Sequence, residues 1–219
     1  EVLHEMYPEA PIYTAFIMSE KWGPHRRRLE TWHISTTWMQ KLPFKDSLTS
    51  HYSILGPSAF ESLDLRAYDI IINSTNPYIS KAIITRPDAV HIAYVHSPPK
   101  APWGYAGSSE ARQSRFWKPI VSMGDHYLRL MDYLAAQRPD ILLANSQVVA
   151  ERIRKFYRRD SLVVYPPVEV QNELIQSSGK SLNRLKKSSS SDSYYLLVGR
   201  LTAGKDYRLP ILAARKMGL

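Results

Sequence analysis

Cysteine is absent from this 219-residue chain. Its absence excludes disulfide frameworks, zinc sites built on thiolates and thiol nucleophiles. It also fits a reducing compartment, so we expect a cytoplasmic protein. Apolar runs of the roughly 20 residues that a membrane-spanning helix needs are missing as well. The longest runs, such as Ile70–Ile72 and Tyr195–Val198, have the length of strands.

Several catalytic motifs are missing too. The histidines show no metal-ligand spacing and no HExxH motif, so we expect no metal site. No Gly-x-Ser-x-Gly nucleophile elbow occurs. The run 199–205 comes close to a phosphate-binding P-loop, but Asp206 stands where that motif requires Ser or Thr.

Positive charge is in excess, because 29 Lys and Arg against 20 Asp and Glu give a net charge of +9. Basic residues cluster at 25–28 and at 152–159. A solvated helix face is the usual reason for such clusters. The functional alternative is attraction to anionic headgroups, so we also expect peripheral contact with the inner face of a membrane. Nucleic acid is not an expected partner, since the charge is spread and no nucleic-acid module occurs.

Short apolar runs alternate with longer amphipathic stretches along the chain. The runs predict strands at 11–17, 68–72, 91–95, 140–144, 162–165 and 194–198, with a polar turn at 73–76. The amphipathic stretches predict helices at 115–137, 147–157 with Ser146 as N-cap, and 209–217. This alternation predicts an α/β protein with a doubly wound, parallel, Rossmann-like sheet. The continuous apolar runs predict strands covered on both faces.

The composition changes after Val170. Residues 171–193 are rich in Ser and Lys and predict a flexible linker. We therefore expect a Rossmann-like domain over 1–170 and the first strand–helix unit of a second one over 194–219. Two elements are too few for an independent core.

Three places could carry chemistry. His96 directly follows a predicted strand, and ligands of α/β sheets gather at the carboxyl ends of strands. A hydrogen-bonded turn histidine is the alternative. Trp103 adds aromatic surface that suits either sugar binding or ordinary packing. Gly199, Arg200 and Lys205 could cradle an anion at a strand-to-helix turn, with a solvated loop as the alternative.

A family resemblance is carried by segments that keep one order along almost the whole chain. They are 3–14, 40–43, 68–74, 93–98 with Trp103, 136–140, 144–146, 153–157, 164–168 and 198–201 with Lys205. This ordered set resembles glycosyltransferase family 4, retaining enzymes of the GT-B fold. It is most similar to mannosyltransferase-like members that act on polysaccharide or lipid-linked acceptors.

The resemblance implies two Rossmann-like domains that face a cleft. The donor nucleotide-sugar would lie mainly on the C-terminal domain and the acceptor on the N-terminal one. Arg200 and Lys205, beside Gly199, match the pair that grips the donor diphosphate. They would stabilise charge on the leaving group without a metal or another cofactor.

On the acceptor side, His96 matches the histidine near the reacting sugar. Lys100 and Trp103 match a basic and an aromatic residue of the acceptor loop. The implied reaction transfers a sugar, with mannose as the first candidate, from a nucleotide-sugar to a glycan or lipid-linked acceptor. The configuration of the sugar would be retained.

The chain departs from the family pattern at both ends. Family members begin with a strand and a Gly-rich turn ahead of the helix that 1–6 finishes. They also continue past Lys205 into a second domain with a pair of glutamates that binds the donor. We therefore expect a fragment truncated at both ends, with little or no turnover. The alternative is a non-catalytic half that binds a glycan or a protein partner.

Overall fold

The computed structural model describes most of the chain. The described ranges are 2–49, 51–75, 78–104, 115–167 and 207–218. The chain divides into two compact units, Glu1–Pro166 and Pro167–Leu219. The predicted linker at 171–193 and the predicted strand at 194–198 lie outside the described residues.

The first unit is a mixture of short helices and parallel strands. Its strands are β1 (Ile12–Thr14), β2 (Ile34–Thr36), β3 (Ile70–Thr75), β4 (Val90–Val95), β5 (Ile141–Ala144) and β6 (Leu162–Val163). Its α-helices are α1 (Val2–Met6), α2 (Arg26–Leu29), α3 (Lys45–Leu48), α4 (Gly56–Glu61), α5 (Lys118–Ala135) and α6 (Gln147–Tyr157). Short 3₁₀ helices occur at Ser19–Lys21, Gly23–His25, Trp38–Lys41, His51–Leu55 and Ser80–Ala82.

All described strand pairs are parallel. β1 pairs with β2, and β3, β4, β5 and β6 form a four-stranded sheet in that order. Parallel neighbours need crossover connections, and α5 and α6 provide two of them. The predicted α/β class with a parallel sheet is confirmed.

The two faces of the four-stranded sheet differ in burial. The covered face carries the buried side chains of Asn73, Thr75, His91, Ala93, Val95, Leu142 and Ala144. The open face carries the alternate positions Ile70, Ile72, Val90, Ile92, Ile141, Leu143 and Leu162, none of which is buried. The prediction of strands covered on both faces is therefore wrong for the described residues, because every buried side chain of these strands lies on one face.

Helix α6 provides much of the cover. Val149, Ile153 and Tyr157 form one stripe of α6 and pack into a cluster with Ala93 and Val95 of β4. Such spacing is the apolar stripe of an amphipathic helix. The Ser146 hydroxyl accepts a hydrogen bond from the Val149 amide (3.4 Å), which confirms the predicted cap.

Strand β3 is longer than the sequence predicts. The predicted turn at 73–76 is wrong up to Thr75, which pairs with Val95 in the parallel register. Asn73 and Thr75 are polar but buried on the covered face. Their side chains made the segment look like a turn, whereas pairing with β4 keeps the backbone extended.

A close backbone approach fixes the start of α4. A Cβ added at Gly56 would lie 2.1 Å from the Tyr78 carbonyl oxygen. Any larger residue therefore has to displace the backbone at Tyr78, so glycine is required there.

The second unit contributes one described helix, α7 (Arg208–Lys216). Pro210 lies in its first turn, where proline is tolerated, and Gly218 follows its end with φ of +78°. Both features agree with the prediction for 209–217. The proposed cap Asp206 lies outside the described residues.

Candidate functional site

Polar side chains gather where the parallel strands end. His96 follows β4 directly, and Asn145 follows β5. Ser74 lies one residue before the end of β3. The carboxyl ends of parallel strands share one edge of a sheet, which is the usual ligand-binding edge of α/β folds.

His96 is exposed and held in a defined orientation at this edge. Its Nε2 atom lies 2.7 Å from the Ser74 hydroxyl oxygen, and its ring meets Tyr94 edge-to-face at 5.1 Å. The His96 amide donates to the Thr75 carbonyl oxygen (3.3 Å), which extends the β3–β4 ladder. The imidazole is therefore oriented by two neighbouring strands while one side stays open to a ligand.

Ser74 is a residue that the sequence analysis did not single out. Its hydrogen-bond partner, His96, lies 22 positions further along the chain. The register of β3 and β4 aligns Ser74 with Tyr94. His96 is two residues beyond Tyr94, on the same face of the sheet. Only the exact strand register brings the two side chains together, and the predicted strand bounds did not include Ser74.

Ser80, in the 3₁₀ turn Ser80–Ala82, is bonded to the end of β3. Ser80 donates its hydroxyl to the Ser74 carbonyl oxygen (3.0 Å) and accepts a hydrogen bond from the side-chain Nδ2 of Asn73 (3.3 Å). Ile79, which is fully buried, adopts the left-handed region with φ of +56°. That conformation is unfavourable for a β-branched residue, so packing around Ile79 has to impose it.

Residues 97–102, which follow His96, are held by a contact at each end of this segment. Arg152 contacts the Ser97 hydroxyl (3.4 Å), and Arg129 donates to the Pro102 carbonyl oxygen (2.7 Å). Lys100 lies between these anchors and is exposed. The loop thus carries an exposed cation four residues after His96.

Trp103 lies mainly in the packed interior. Its indole stacks on Phe156 with ring centroids 4.5 Å apart and planes 23° apart, and its N–H donates to Asp132 (2.7 Å). One ring face and the polar atom are therefore already engaged. Of the two interpretations of Trp103, sugar binding and ordinary packing, these contacts favour packing.

Asp132 is the centre of a buried polar cluster. It is fully buried, pairs with the Lys81 ammonium, and also accepts from the Tyr157 hydroxyl (2.8 Å). Burial lowers the pKa of Lys81, and the Asp132 carboxylate opposes that shift. Burial, reinforced by Asp132, raises the pKa of Tyr157 well above its ordinary value. This cluster is closed to solvent and acts on the loop through Trp103.

His91 is also withdrawn from solvent. Its Nε2 atom bonds to the Asn73 side-chain oxygen (2.7 Å), and it is 1% exposed. Burial lowers the pKa of His91 from 6.5 to about 4, although Asp140 acts in the opposite direction. His91 is therefore a neutral core residue rather than part of the exposed edge.

Some arginines of the basic clusters at 25–28 and 152–159 make hydrogen bonds or ion pairs within the chain. Arg159 donates to the carbonyl oxygens of Ala136 (2.9 Å) and Pro139 (2.6 Å), and Arg154 pairs with Asp160. Arg26 pairs with Glu30. The exposed Arg26 and Arg154 agree with the solvated-face interpretation, whereas the half-buried Arg159 stabilises the backbone between α5 and β5.

The predicted donor residues Gly199, Arg200 and Lys205 lie outside the described residues. Within the part of the chain that the structure describes, no three His, Asp or Glu side chains are grouped to hold a metal ion. Over that same part, no helix combines the length and apolarity needed to cross a membrane.

The edge therefore brings Ser74 and His96 together, and the exposed Lys100 follows on the adjoining loop. Hydroxyl, imidazole and ammonium groups in this arrangement can orient a polyhydroxyl ligand or an anion. In comparisons with family models, curated proteins and solved structures, nothing matches this chain.

Proposed function

We propose that this chain is the acceptor-side part of a retaining glycosyltransferase of the GT-B type. The reaction would transfer a sugar, with mannose as the first candidate, from a nucleotide-sugar to a glycan or lipid-linked acceptor. The observation that carries the proposal is the exposed His96 imidazole, held 2.7 Å from the Ser74 hydroxyl at the carboxyl edge of a parallel sheet.

An imidazole in this position can both accept and donate hydrogen bonds. Sugars present hydroxyls that need both, so His96 would orient a hydroxyl of the donor sugar or of the acceptor. Ser74 is a positioning residue in this scheme, because it touches the imidazole rather than the ligand. The exposed Lys100 would meet an anionic group, such as the diphosphate of a lipid-linked acceptor.

The donor side of the proposal rests on the sequence resemblance. Arg200 and Lys205, beside Gly199, would neutralise the charge that develops on the leaving diphosphate.

The acceptor side can be tested on the chain as it is. Mannose-containing oligosaccharides and polyprenyl-diphosphate glycans are titrated while the His96 imidazole signals are followed by nuclear magnetic resonance. We expect the titration to shift the His96 signals of the unsubstituted chain. We expect the affinity, measured by calorimetry, to be lost with His96→Ala and weakened with Ser74→Ala. The matched control is Thr31→Ala, an exposed hydroxyl away from this edge. Binding that is unchanged by His96→Ala would overturn the role given to this edge.

The donor side needs a version extended beyond Leu219. Uridine-, guanosine- and adenosine-diphosphate sugars are titrated by calorimetry with and without Arg200→Ala. We expect one nucleotide-sugar to bind, and Arg200→Ala to weaken it by at least about tenfold, as for loss of a charge-assisted contact. Absence of affinity for all of them would refute the transferase assignment.

A non-catalytic binding half is the second candidate. The open face of the sheet favours it, because Ile70 and Leu162 are 63% and 66% exposed. These two side chains lie on β3 and β6, the outer strands of the sheet. Exposed apolar groups along one face of a sheet are typical of surfaces that meet another polypeptide. Sugar transfer by the extended version would decide for the enzyme, and glycan or protein binding without transfer would decide for this alternative.

A further inference from the structure

Helix α5 directs polar side chains toward the body of the chain. Asp132 is fully buried and accepts from Trp103, and Asp125 is 9% exposed. The two carboxylates are seven residues apart, which is two turns of helix, so they lie on one side. Arg129 donates to the Pro102 carbonyl oxygen (2.7 Å). The inward side of α5 is therefore polar at its centre, whereas the inward side of a surface helix is usually apolar.

The opposite side of α5 carries large apolar side chains. They recur at alternating spacings of four and three residues, all are exposed, and together they are called the outer stripe: Phe116, Ile120, Met123, Tyr127, Leu130 and Leu134. Phe116 lies two residues ahead of the helix and continues the spacing. At 3.6 residues per turn, the outer stripe is centred directly opposite Asp125.

The charges of α5 lie away from the outer stripe. Its four Asp, Glu, Lys or Arg residues are Lys118, Asp125, Arg129 and Asp132. At 3.6 residues per turn, all four fall on the inward half of the helix. A partner of the stripe is therefore apolar and uncharged, since a charge buried there would lose its hydration without gaining a counter-charge. An anionic lipid headgroup would meet no cation on the stripe, which argues against a membrane as the partner.

The spacing of the outer stripe specifies a helix as the partner. Apolar residues that alternate at three and four positions form the seam of a coiled coil, where each side chain inserts between side chains of a facing helix. A strand repeats every two residues and does not match this spacing. The stripe extends over 116–134, which is about 27 Å of helix. It therefore fits a helix of about the length of α5.

A second copy of the outer stripe is complementary to the first. An antiparallel pair of α5 helices centred on Asp125 aligns the two stripes layer by layer. The facing pairs are Phe116 with Leu134, Ile120 with Leu130, and Met123 with Tyr127. Aromatic rings then meet narrower side chains, whereas a parallel pair would set Phe116 and Tyr127 against their own copies. The opposed helix dipoles also favour the antiparallel arrangement.

We propose that two copies of this chain pair through their outer stripes, as an antiparallel α5–α5 dimer. The interface is self-complementary, as two-fold symmetry requires. Six side chains of this size, each about half exposed, would remove roughly 700 Å² per copy from water, close to the ~800 Å² per partner of a stable interface. The proposal goes beyond the proposed function, because His96 and Ser74 take no part in it.

The dimer is tested on the full 219-residue chain by sedimentation equilibrium. Leu130→Glu and Met123→Glu each place a carboxylate in the apolar seam, and we expect each to raise the dimer Kd by at least about tenfold. The matched control is Leu162→Glu on β6, because Leu162 is also an exposed leucine. It should leave the Kd unchanged. The denaturation midpoint of each variant confirms that the chain is folded.

The orientation is tested by disulfide cross-linking, because the chain contains no cysteine. A mixture of Met123→Cys and Tyr127→Cys should form a cross-linked dimer on oxidation, since these positions face each other in the antiparallel pair. Leu134→Cys alone should not, because its two copies would lie about 27 Å apart, far beyond disulfide reach. Efficient cross-linking of Leu134→Cys would overturn the antiparallel arrangement.

Three further results would overturn the proposal. The first is an unsubstituted chain that stays monomeric. The second is a dimer that Leu162→Glu dissociates and Leu130→Glu does not, which would place the interface on the open face of the sheet. The third is a monomer that binds phosphatidylglycerol vesicles and loses them with Leu130→Glu, which would assign the outer stripe to lipid. Ligand titration at His96 is a separate measurement, so failure of the dimer leaves the proposed function untouched.

Discussion

The covered and open faces of the four-stranded sheet are made by the same strands but differ in what surrounds them. On the covered face, Ala93, Val95 and Ala144 are fully buried beneath α6. On the open face, Ile70 and Ile72 are 63% and 44% exposed despite their larger apolar side chains. Hydrophobicity alone therefore does not decide burial here. The layer packed against each face does.

The polar groups divide in the same way. The covered side holds the buried Lys81–Asp132 pair and the neutral His91, each with hydrogen-bond partners. The open side carries the exposed His96 and Ser74 at its edge. We therefore expect substitutions on the covered side to change stability, and those at the exposed edge to change binding.

The largest effect is expected at Asp132. Asp132→Ala leaves the buried Lys81 ammonium without its counter-charge and removes the acceptor for Trp103 and Tyr157. Breaking a buried ion pair costs about 3–5 kcal/mol of the free energy of unfolding. Chemical denaturation of the wild type and of Asp132→Ala measures this loss.

The matched control for Asp132 is Asp64, whose ion pair with Arg66 is exposed. Exposed pairs contribute little, so Asp64→Ala should leave the denaturation midpoint nearly unchanged. A similar loss for the two variants would contradict the distinction between buried and exposed pairs.

A paired isoleucine substitution compares the two faces directly. Ile153 on α6 is fully buried, and Ile153→Ala should lower the free energy of unfolding by about 2–5 kcal/mol. Ile72→Ala should cost about 0.5 kcal/mol or less, because that side chain is 44% exposed. Both values come from denaturant titration. A large loss at Ile72 would show that the open face is covered in solution.

Lowering the pH is expected to reduce the free energy of unfolding by a smaller amount, because the pKa of His91 differs between the folded and unfolded chain. Its folded pKa of about 4 lies below the ordinary 6.5, so the unfolded chain binds the proton first as pH falls. The contribution of neutral His91 to the free energy of unfolding is complete above pH 6.5. It declines by roughly 3 kcal/mol as the pH falls to 4. Asp140, Arg138 and Arg159 are the charged groups that act on His91.

The measurement for His91 is the free energy of unfolding between pH 7 and 4, compared with His91→Gln. Glutamine does not titrate, so the variant should lose most of this pH dependence. His126→Gln, at an exposed histidine of α5, should keep it. Identical pH profiles for wild type and His91→Gln would mean that other groups control acid stability.

Much of the fold follows from local sequence. The bounds of α6 are predicted exactly, since Ser146 caps it and its apolar residues share one stripe. Strands β4 and β5 are predicted within one residue, because each is a short apolar run with polar ends. In these segments, local preference and tertiary packing act in the same direction.

Other parts depend on contacts that local sequence does not encode. Strand β2 (Ile34–Thr36) has only one large apolar residue and is extended because it pairs with β1. The burial of Asp132 requires Lys81, 51 positions away. The contact of Ser74 with His96 requires the exact register of two strands. His96 itself could be predicted, since its place after an apolar strand is a local feature.

The Asp132 cluster has a consequence for ligand binding. Asp132 of α5 binds Lys81 of the 3₁₀ turn Ser80–Ala82 and Tyr157 of α6. It also binds Trp103, three residues after Lys100. Residues 97–103 are therefore held in place before any ligand arrives. A ligand that contacts Lys100 and His96 has little conformational entropy of the protein to remove, so its binding should be governed by the contacts themselves.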